Sequence, residues 1–228
     1  MTRTLESRSD EHLGRAERGR AALRAACATL VLNVARLAFA TTAVVAMTYQ
    51  FASTADSGFQ QANFFSFFTI QSNILAVAAL FLLVLVPRSR RTALVDGARS
   101  AAVLYMAITG VVFALLLSGL QEDLQTTIPW VDFVVHKLMP IVLVADWLID
   151  PPRNRLPRWT VLAWLAYPLA WFAYTLARGA DVDWYPYPFV DVSTLAYGDV
   201  LGRSVLLAAG FALAGAALRW LGNRRALR

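Results

Sequence analysis

Long apolar stretches recur along this chain and limit what it can fold into. Six of them occupy residues 27–49, 63–86, 97–119, 132–149, 159–177 and 199–220. Each reaches, or nearly reaches, the length of about 20 residues that a helix needs to cross a hydrocarbon core of about 30 Å. In lipid, every backbone polar group must be satisfied within the protein, which requires helices here. The sequence therefore predicts six membrane-spanning helices.

The distribution of basic residues predicts the orientation of these helices. Of the 21 Lys and Arg residues, 17 lie in the N-terminal tail, the 88–99 and 153–158 connections and the last ten residues. The three alternate connections are acidic and aromatic, and Arg178 is their only basic residue. Because Lys and Arg are retained on the cytoplasmic side of a bilayer, we expect both termini inside. The expected fold is all-α, a polytopic membrane bundle of six helices with cytoplasmic termini.

The segments outside the spans leave no room for a second domain. Residues 1–24 carry six Arg and four acidic residues, and we expect a cytoplasmic tail that is disordered or forms a short interfacial helix. Residues 25–222 form the predicted six-helix transmembrane domain, and residues 223–228 form a basic cytoplasmic end.

Composition excludes several classes of function. The chain is 58% hydrophobic and 16% charged, whereas soluble domains are nearer half apolar and a quarter charged. A net charge of +6 is explained by cytoplasmic retention and contact with anionic lipid, so we expect a membrane but no nucleic acid as partner. The single cysteine, Cys27, excludes an internal disulfide and a CxxC pair. One embedded histidine without companion ligands predicts no metal, and we expect no cofactor.

Polar residues inside the apolar stretches are rare because burying them in lipid is unfavourable, so they are candidate functional residues. In the second stretch, one face of the predicted helix carries Ser66, Thr69 and Asn73, and Gln71 lies beside that face. Others share one face of the fourth stretch: Asp132, His136, Asp146 and Asp150. Arg36 lies well inside the first stretch.

Counting residues from the ends of the stretches sorts these groups into two layers. At a rise of about 1.5 Å per residue, Thr69 lies about 9 Å and His136 about 6 Å below the outer boundary. Asp146 lies about four residues from the inner end of its stretch, and Arg36 approaches from the same side. The sequence thus predicts an outer Thr/His layer and an inner Arg/Asp layer.

The inner layer has a structural interpretation. An embedded Arg36 and an embedded Asp146 neutralise one another and hold two helices together, so we predict a structural ion pair. The functional alternative is a proton or ion relay, but one Arg and one Asp do not form a chain of carriers across a bilayer.

The outer layer has two interpretations. Histidine accepts a proton near neutral pH, and Pro140, four residues after His136, removes the amide that would bond the His136 carbonyl. That loss weakens the helix and favours a small polar cavity, beside which Asp132 can orient the ring. From composition alone, a hydrogen-bonded packing histidine and a threonine bonded to its own helix are the simpler interpretation.

The chain resembles the androgen-induced protein family in three runs that occur in this order on six spans: FFSFFTIQSNIL (64–75), HKLMPIVLVADWLI (136–149) and WYPYPFVD (184–191). Members are small integral membrane threonine hydrolases that cleave fatty acid esters of hydroxy fatty acids, and this chain is similar to a bacterial branch. The resemblance implies a catalytic threonine and histidine, which match Thr69 and His136. It also implies a location in the bacterial plasma membrane.

The chemistry that this resemblance implies is nucleophilic acyl transfer on a lipid or fatty acyl ester. Thr69 Oγ1 would attack the ester carbonyl while His136 takes its proton, and a water activated by His136 would release the acid. Candidate residues for orienting the ring or stabilising the oxyanion are Asp132, Asn73, Ser66 and Gln71. We rank Asn73 first as oxyanion donor because it shares the face of Thr69.

The aromatic loop 184–198 is expected to be a lid over the substrate. The residues assigned to this lid are Tyr185, Tyr187, Phe189 and Asp191. An interfacial anchor at the level of the lipid headgroups is the alternative role of the loop.

Two other classes of function stay open. A membrane transporter or lipid-binding protein without catalytic activity predicts inverted repeats and broken helices near the midplane, and only Pro168 hints at a break. A structural or assembly protein is the third interpretation, and the sequence does not define an oligomeric state.

Overall fold

The computed structural model describes residues 2–55, 60–120, 122 and 128–226. These residues are mostly helical, and no strand occurs among them. The α-helices are α1 (Thr2–Ala55), α2 (Gln61–Ser66), α3 (Phe68–Leu85), α4 (Ala93–Val112), α5 (Pro129–Phe133), α6 (Met139–Ile149), α7 (Thr160–Val182) and α8 (Tyr197–Arg225). Short 3₁₀ turns occupy Arg88–Arg90 and Pro188–Val190, and π-helical turns occupy Phe113–Leu117 and Val134–Leu138.

In the part of the chain that the structure describes, five helices are long and apolar enough to cross a membrane: Glu17–Thr54, Phe68–Leu85, Ala93–Leu117, Thr160–Val182 and Tyr197–Arg225. They identify a multi-pass helical membrane protein. α3 packs between α1 and α4, α4 packs on α6, and α7 and α8 pack together, with α8 also against α4. Fully buried side chains such as Leu80, Met106, Met139 and Leu143 fill the space between the central helices.

The fourth apolar stretch is a continuous helix made of three pieces, which are α5, a π turn and α6. Its residues rise about 30 Å at about 1.5 Å each. Pro140 has no N–H, so the carbonyl four residues earlier loses its α-helical donor. The π turn lies at this position, and within it the Met139 N–H bonds to the carbonyl of Val134. α4 approaches closely because Gly110 has no side chain: a Cβ there would lie 2.9 Å from Cβ of Pro140.

The second apolar stretch differs from the single helix predicted for it. α2 ends at Ser66, Phe67 is extended with φ −66° and ψ 127°, and α3 begins at the next residue. Two of the carbonyls that the break leaves without helical donors accept hydrogen bonds from side chains. Trp171 Nε1 donates to the Ser66 carbonyl at 2.9 Å, and Gln71 Nε2 donates to the carbonyl of Phe65 at 2.7 Å. Irregular backbone is tolerated within a membrane protein when the protein supplies such partners.

The N-terminal tail also differs from the prediction. α1 begins at Thr2, so residues 2–24, expected to be disordered or a short interfacial helix, form one continuous helix with the first span. Extending an existing helix needs no new nucleus, which removes the main barrier to helix formation in a polar tail. At the other end, residues 223–225 belong to α8 and Ala226 follows as a turn, while Met1 and residues 227–228 lie outside the described part.

Candidate active site

Thr69 lies in the first turn of α3, where backbone N–H groups have no acceptor within the helix. Its N–H donates to Oη of Tyr187 at 3.2 Å, and its hydroxyl lies 3.3 Å from the same phenol oxygen. The Thr69 side chain is 5% exposed. The break at Phe67 thus places a buried hydroxyl at the positive end of a helix dipole, where developing negative charge is stabilised.

Thr69 is among the residues that line a partly open apolar cavity of about 190 Å³. Aliphatic and aromatic side chains of α4, α7 and α8 form most of its wall. Four hydroxyl-bearing residues also line it: Thr69, Thr109, Tyr187 and Ser204. The hydroxyls of Thr109 and Ser204 have no hydrogen-bond partner among the described residues. Because a dry apolar cavity of about 150 Å³ can hold a benzene-sized ligand, this one has room for a stretch of hydrocarbon.

His136 lies in the π turn between α5 and α6 and forms a buried dyad with Asp132. Nδ1 of the ring is 2.9 Å from Oδ1 of Asp132. The imidazole stacks on Phe113, with ring centroids 4.0 Å apart and planes at 10°. A carboxylate on Nδ1 holds a proton there and leaves Nε2 as the proton acceptor, as in the Ser-His-Asp arrangement. The histidine is not among the residues that line the cavity.

Asn73 connects the threonine helix with the histidine segment. Its Nδ2 donates to the carbonyl of Thr69 at 2.9 Å and to the carbonyl of Val135 at 3.1 Å. Val135 directly precedes His136, so one amide holds both backbones. No hydrogen bond joins the Thr69 hydroxyl to the His136 ring, because the hydroxyl faces Tyr187 and Nδ1 faces Asp132.

Ser66 and Gln71 are also not brought to the threonine hydroxyl. The break separates Ser66 from the helix face predicted for it, and its hydroxyl bonds within α2 and lies 3.0 Å from Oη of Tyr174. The amide of Gln71 donates to the Phe65 carbonyl, and its Oε1 accepts from Tyr167 at 2.6 Å. Both side chains stabilise the region around the break instead.

The predicted lid residues separate into two pairs. Tyr187 and Phe189 line the cavity, and their rings stack with centroids 5.2 Å apart and planes at 4°. Tyr185 packs its ring over Gly179, which has no side chain to oppose it. Asp191 accepts from the backbone N–H of Ser193 at 2.8 Å and so stabilises its own turn. The contact between Tyr187 and Thr69 was not predicted, because no local pattern in the sequence indicates it.

A second polar group, the arginine cluster, consists of Arg36, Arg88, Arg91, Arg99, Asp146 and Asp150, all of which are buried except Arg88. The structure brings the predicted pair together, with Arg36 Nε 2.7 Å from Asp146 Oδ1. Arg36 also reaches Asp150 Oδ2 at 2.6 Å. Arg99 pairs with Asp146 at 2.6 Å, and Arg91 pairs with Asp150 at 2.7 Å. Arg99 was not predicted as a member of this cluster. Its position near the end of an apolar stretch nevertheless indicates an ion pair, since embedded charges need partners.

Asp150, directly after α6, is held as an anion by this cluster. Burial alone would raise the pKa of its carboxyl group. Hydrogen bonds from Arg36 and Arg91, together with the charges of Arg99 and Arg91, outweigh that effect and lower the pKa from 3.8 to about 2. The arginines therefore keep the carboxylate charged at any ordinary pH.

No family model, curated protein or solved structure matches this chain. The fold and the site define its class as a multi-pass helical membrane protein with a buried threonine, an Asp–His dyad and an apolar cavity. Among the described residues, no group of three or more His, Cys, Asp or Glu side chains is placed to hold a metal ion.

Proposed function

We propose that this chain is an intramembrane hydrolase of fatty acyl esters, related to the androgen-induced threonine hydrolases, with Thr69 as nucleophile and His136 as general base. One observation carries the proposal: Thr69 is buried at a helix N-terminus and is one of the residues that line an apolar cavity. An ester with part of its hydrocarbon chain in this cavity would present its carbonyl carbon to the hydroxyl.

The reaction follows from the groups around that carbon. Thr69 Oγ1 attacks while His136 Nε2 takes its proton, and the alkoxy group leaves with that proton, so that an acyl-threonine forms. Water then attacks the acyl group, His136 takes its proton, and Oγ1 leaves as the hydroxyl of free Thr69 while the acid is released. Asp132 holds the ring in the required tautomer.

The hydroxyl must turn from Tyr187 toward His136 for the first step. Asn73 limits how far the two groups can separate, because it bonds the carbonyl of Thr69 and the carbonyl of Val135, the residue before His136. Catalytic hydrogen bonds are often absent or long before substrate binds and form in the complex. We therefore expect this bond to form on binding of the ester.

The proposed topology has six crossings with both termini in the cytoplasm of a bacterium. The five candidate spans supply five crossings. Residues 129–149 supply the sixth, since they form a continuous helical segment that rises about 30 Å. The basic connections then face the cytoplasm, as retention of Lys and Arg requires. In this orientation the arginine cluster lies near the inner surface and Thr69 lies toward the outer one.

Covalent labelling tests the proposal. The full chain, purified in detergent, is treated with a fluorophosphonate probe as wild type, Thr69→Ala, Thr69→Ser and His136→Ala. We expect labelling of the wild type and of Thr69→Ser, and loss of labelling in both alanine variants. Thr42→Ala is the matched threonine control, because that exposed hydroxyl bonds its own helix at Ala38. His12→Ala is the histidine control. Equal labelling of all variants would contradict the proposal.

A lipid-binding protein or transporter without catalytic activity is the second candidate. The cavity and the helix break at Phe67 favour it. The break lies at the end of the 18-residue α3, however, and not near the middle of a span as a transporter site requires. Tight binding of a long-chain ether to the wild type, with no turnover of the corresponding ester, would favour this second candidate.

A further inference from the structure

Tyr187 contacts Thr69 directly, which the lid role predicted for it does not require. Its side chain is 4% exposed and its ring packs edge-on against Phe67 with centroids 5.7 Å apart. Its phenol oxygen lies 3.2 Å from the Thr69 nitrogen and 3.3 Å from Thr69 Oγ1. A fixed, buried phenol therefore touches both the backbone and the hydroxyl of the proposed nucleophile.

The direction of these hydrogen bonds leaves the phenol hydrogen available. A backbone N–H only donates, so Oη of Tyr187 accepts the bond from the Thr69 nitrogen. The hydrogen of the phenol then needs another acceptor, and Thr69 Oγ1 is within range. Burial raises the pKa of Tyr187, and its hydrogen bonds with Thr69 lower the pKa by less. The phenol therefore keeps its hydrogen at neutral pH.

The donors expected from the sequence are already engaged. Both amide hydrogens of Asn73 go to backbone carbonyls. The amide of Gln71 and the hydroxyl of Ser66 also donate to backbone carbonyls. An oxyanion needs a donor that is not committed to the backbone and that is fixed before the reaction begins. Of the side chains bonded to Thr69, Tyr187 meets both conditions.

We propose that Tyr187 is a catalytic residue whose phenol O–H stabilises the oxyanion formed when Thr69 attacks a fatty acyl ester. This assignment rests on the proposed hydrolase function. As the bond from Thr69 Oγ1 to the carbonyl carbon forms, the carbonyl π electrons move to the carbonyl oxygen and the Oγ1 proton passes to His136. The phenol hydrogen bond moves from Oγ1 to this oxygen, one carbon atom away, and its proton stays on Tyr187 throughout. When the carbonyl re-forms, the bond to the alkoxy group breaks.

The test is Tyr187→Phe, which keeps the ring and its packing and removes only the hydroxyl. Hydrolysis of a long-chain p-nitrophenyl ester by the full chain in detergent gives kcat and KM. We expect kcat to fall by about 100- to 1,000-fold, as for loss of one oxyanion donor, with KM unchanged. Fluorophosphonate labelling should slow by a similar factor. Tyr197→Phe, an exposed tyrosine in the first turn of α8, is the matched control.

Comparison with the nucleophile variants separates the two proposals. If Thr69→Ala and His136→Ala hydrolyse the ester like the wild type, the hydrolase proposal fails and the role of Tyr187 fails with it. If both are inactive while Tyr187→Phe keeps the wild-type kcat, only the role of Tyr187 is overturned. A defect confined to KM would also overturn it, because that defect indicates substrate binding and not stabilisation of the oxyanion.

A second variant covers the case in which Tyr187→Phe does not fold. Incorporation of 3,5-difluorotyrosine at position 187 keeps the hydroxyl and lowers its pKa. An oxyanion donor must be protonated, so we expect kcat of this variant to decline at a lower pH than kcat of the wild type. Identical alkaline limbs of the two pH profiles would overturn the proposal.

Discussion

The arginine cluster and the threonine site are both buried polar groups of one helical bundle, but they differ in how completely their atoms are paired. In the cluster, both oxygens of Asp146 and both of Asp150 bond arginines. Near Thr69, by contrast, Asn73 Oδ1 and the hydroxyl of Thr109 have no partner among the described residues. Fully paired charges hold helices together, whereas spare hydrogen-bonding capacity beside an apolar cavity is available to a ligand.

The backbone around the two regions differs in the same sense. In the arginine cluster, Arg36, Arg99 and Asp146 lie on regular α-helix, and Arg88, Arg91 and Asp150 lie in the connections after α3 and α6. The threonine site instead contains the extended Phe67 and the π turn that carries His136. π turns are rare and occur frequently at functional sites. In the threonine site the irregular backbone lies within the apolar stretches themselves and not in the connections between them, which supports a functional role for this site.

The strongest test of this difference is Asp132→Asn. Asparagine keeps the shape of the side chain but favours the wrong tautomer of His136, so we expect kcat for ester hydrolysis to fall by about 10⁴-fold. Thermal unfolding in detergent should show a folded protein with little change in Tm. Asp199→Asn, in the exposed first turn of α8, is the control. A loss of stability without a loss of rate would show that the dyad serves packing, as the arginine cluster does.

Asp146→Ala should have the opposite effect, a loss of stability with no loss of kcat. It leaves Arg36 and Arg99 buried without this carboxylate, and uncompensated buried charge lowers the free energy of unfolding by about 3–5 kcal/mol. We expect kcat to be unchanged at temperatures where the variant is folded. Denaturation in mixed micelles measures the loss, and Asp181→Ala at the exposed end of α7 is the control. An inactive variant of normal stability would place the arginine cluster in the reaction.

The smallest expected effect is the loss of stability at acidic pH that follows from protonation of Asp150. The pKa of Asp150 is about 2 in the folded protein, below the ordinary value of 3.8 expected in the unfolded chain. Its ionised form therefore adds stability above pH 3.8, and that stability is lost as pH falls from 3.8 through about 2. Thermal unfolding between these pH values should show a steeper decline for the wild type than for Asp150→Asn. Equal slopes would mean that the arginines do not lower the pKa of this carboxyl.

The sequence predicted the parts of this structure that depend on position along a single helix. The apolar stretches are helical, although Phe67 interrupts the second, because a single segment in lipid satisfies its backbone polar groups only as a helix. The pairing of Arg36 with Asp146 followed from depth alone, since the rise per residue places both near the same end of the bundle. The dyad of Asp132 and His136 followed from their spacing of four residues.

The remaining features depend on contacts between distant parts of the chain. The break at Phe67 has no glycine or proline beside it, and its partner Trp171 lies 105 residues after Ser66. Tyr187 reaches Thr69 from a loop 118 residues away. Periodicity and depth describe which face of a helix a residue occupies, but they do not show which loop side chain lies over that face. The hydrogen bond from Asn73 to the carbonyl of Val135 was not predicted for the same reason.

Trp171 and Tyr187 each form a hydrogen bond with the backbone beside the Phe67 break, and both residues also line the cavity. Trp171 bonds the carbonyl just before the break, and Tyr187 bonds the amide of Thr69 just after it. Both side chains are part of the cavity wall. A ligand that moves the Trp171 ring would weaken the hydrogen bond to the Ser66 carbonyl, and one that moves the Tyr187 ring would weaken the bond from the Thr69 amide. We therefore expect a ligand in the cavity to change the orientation of the Thr69 hydroxyl without moving a whole helix.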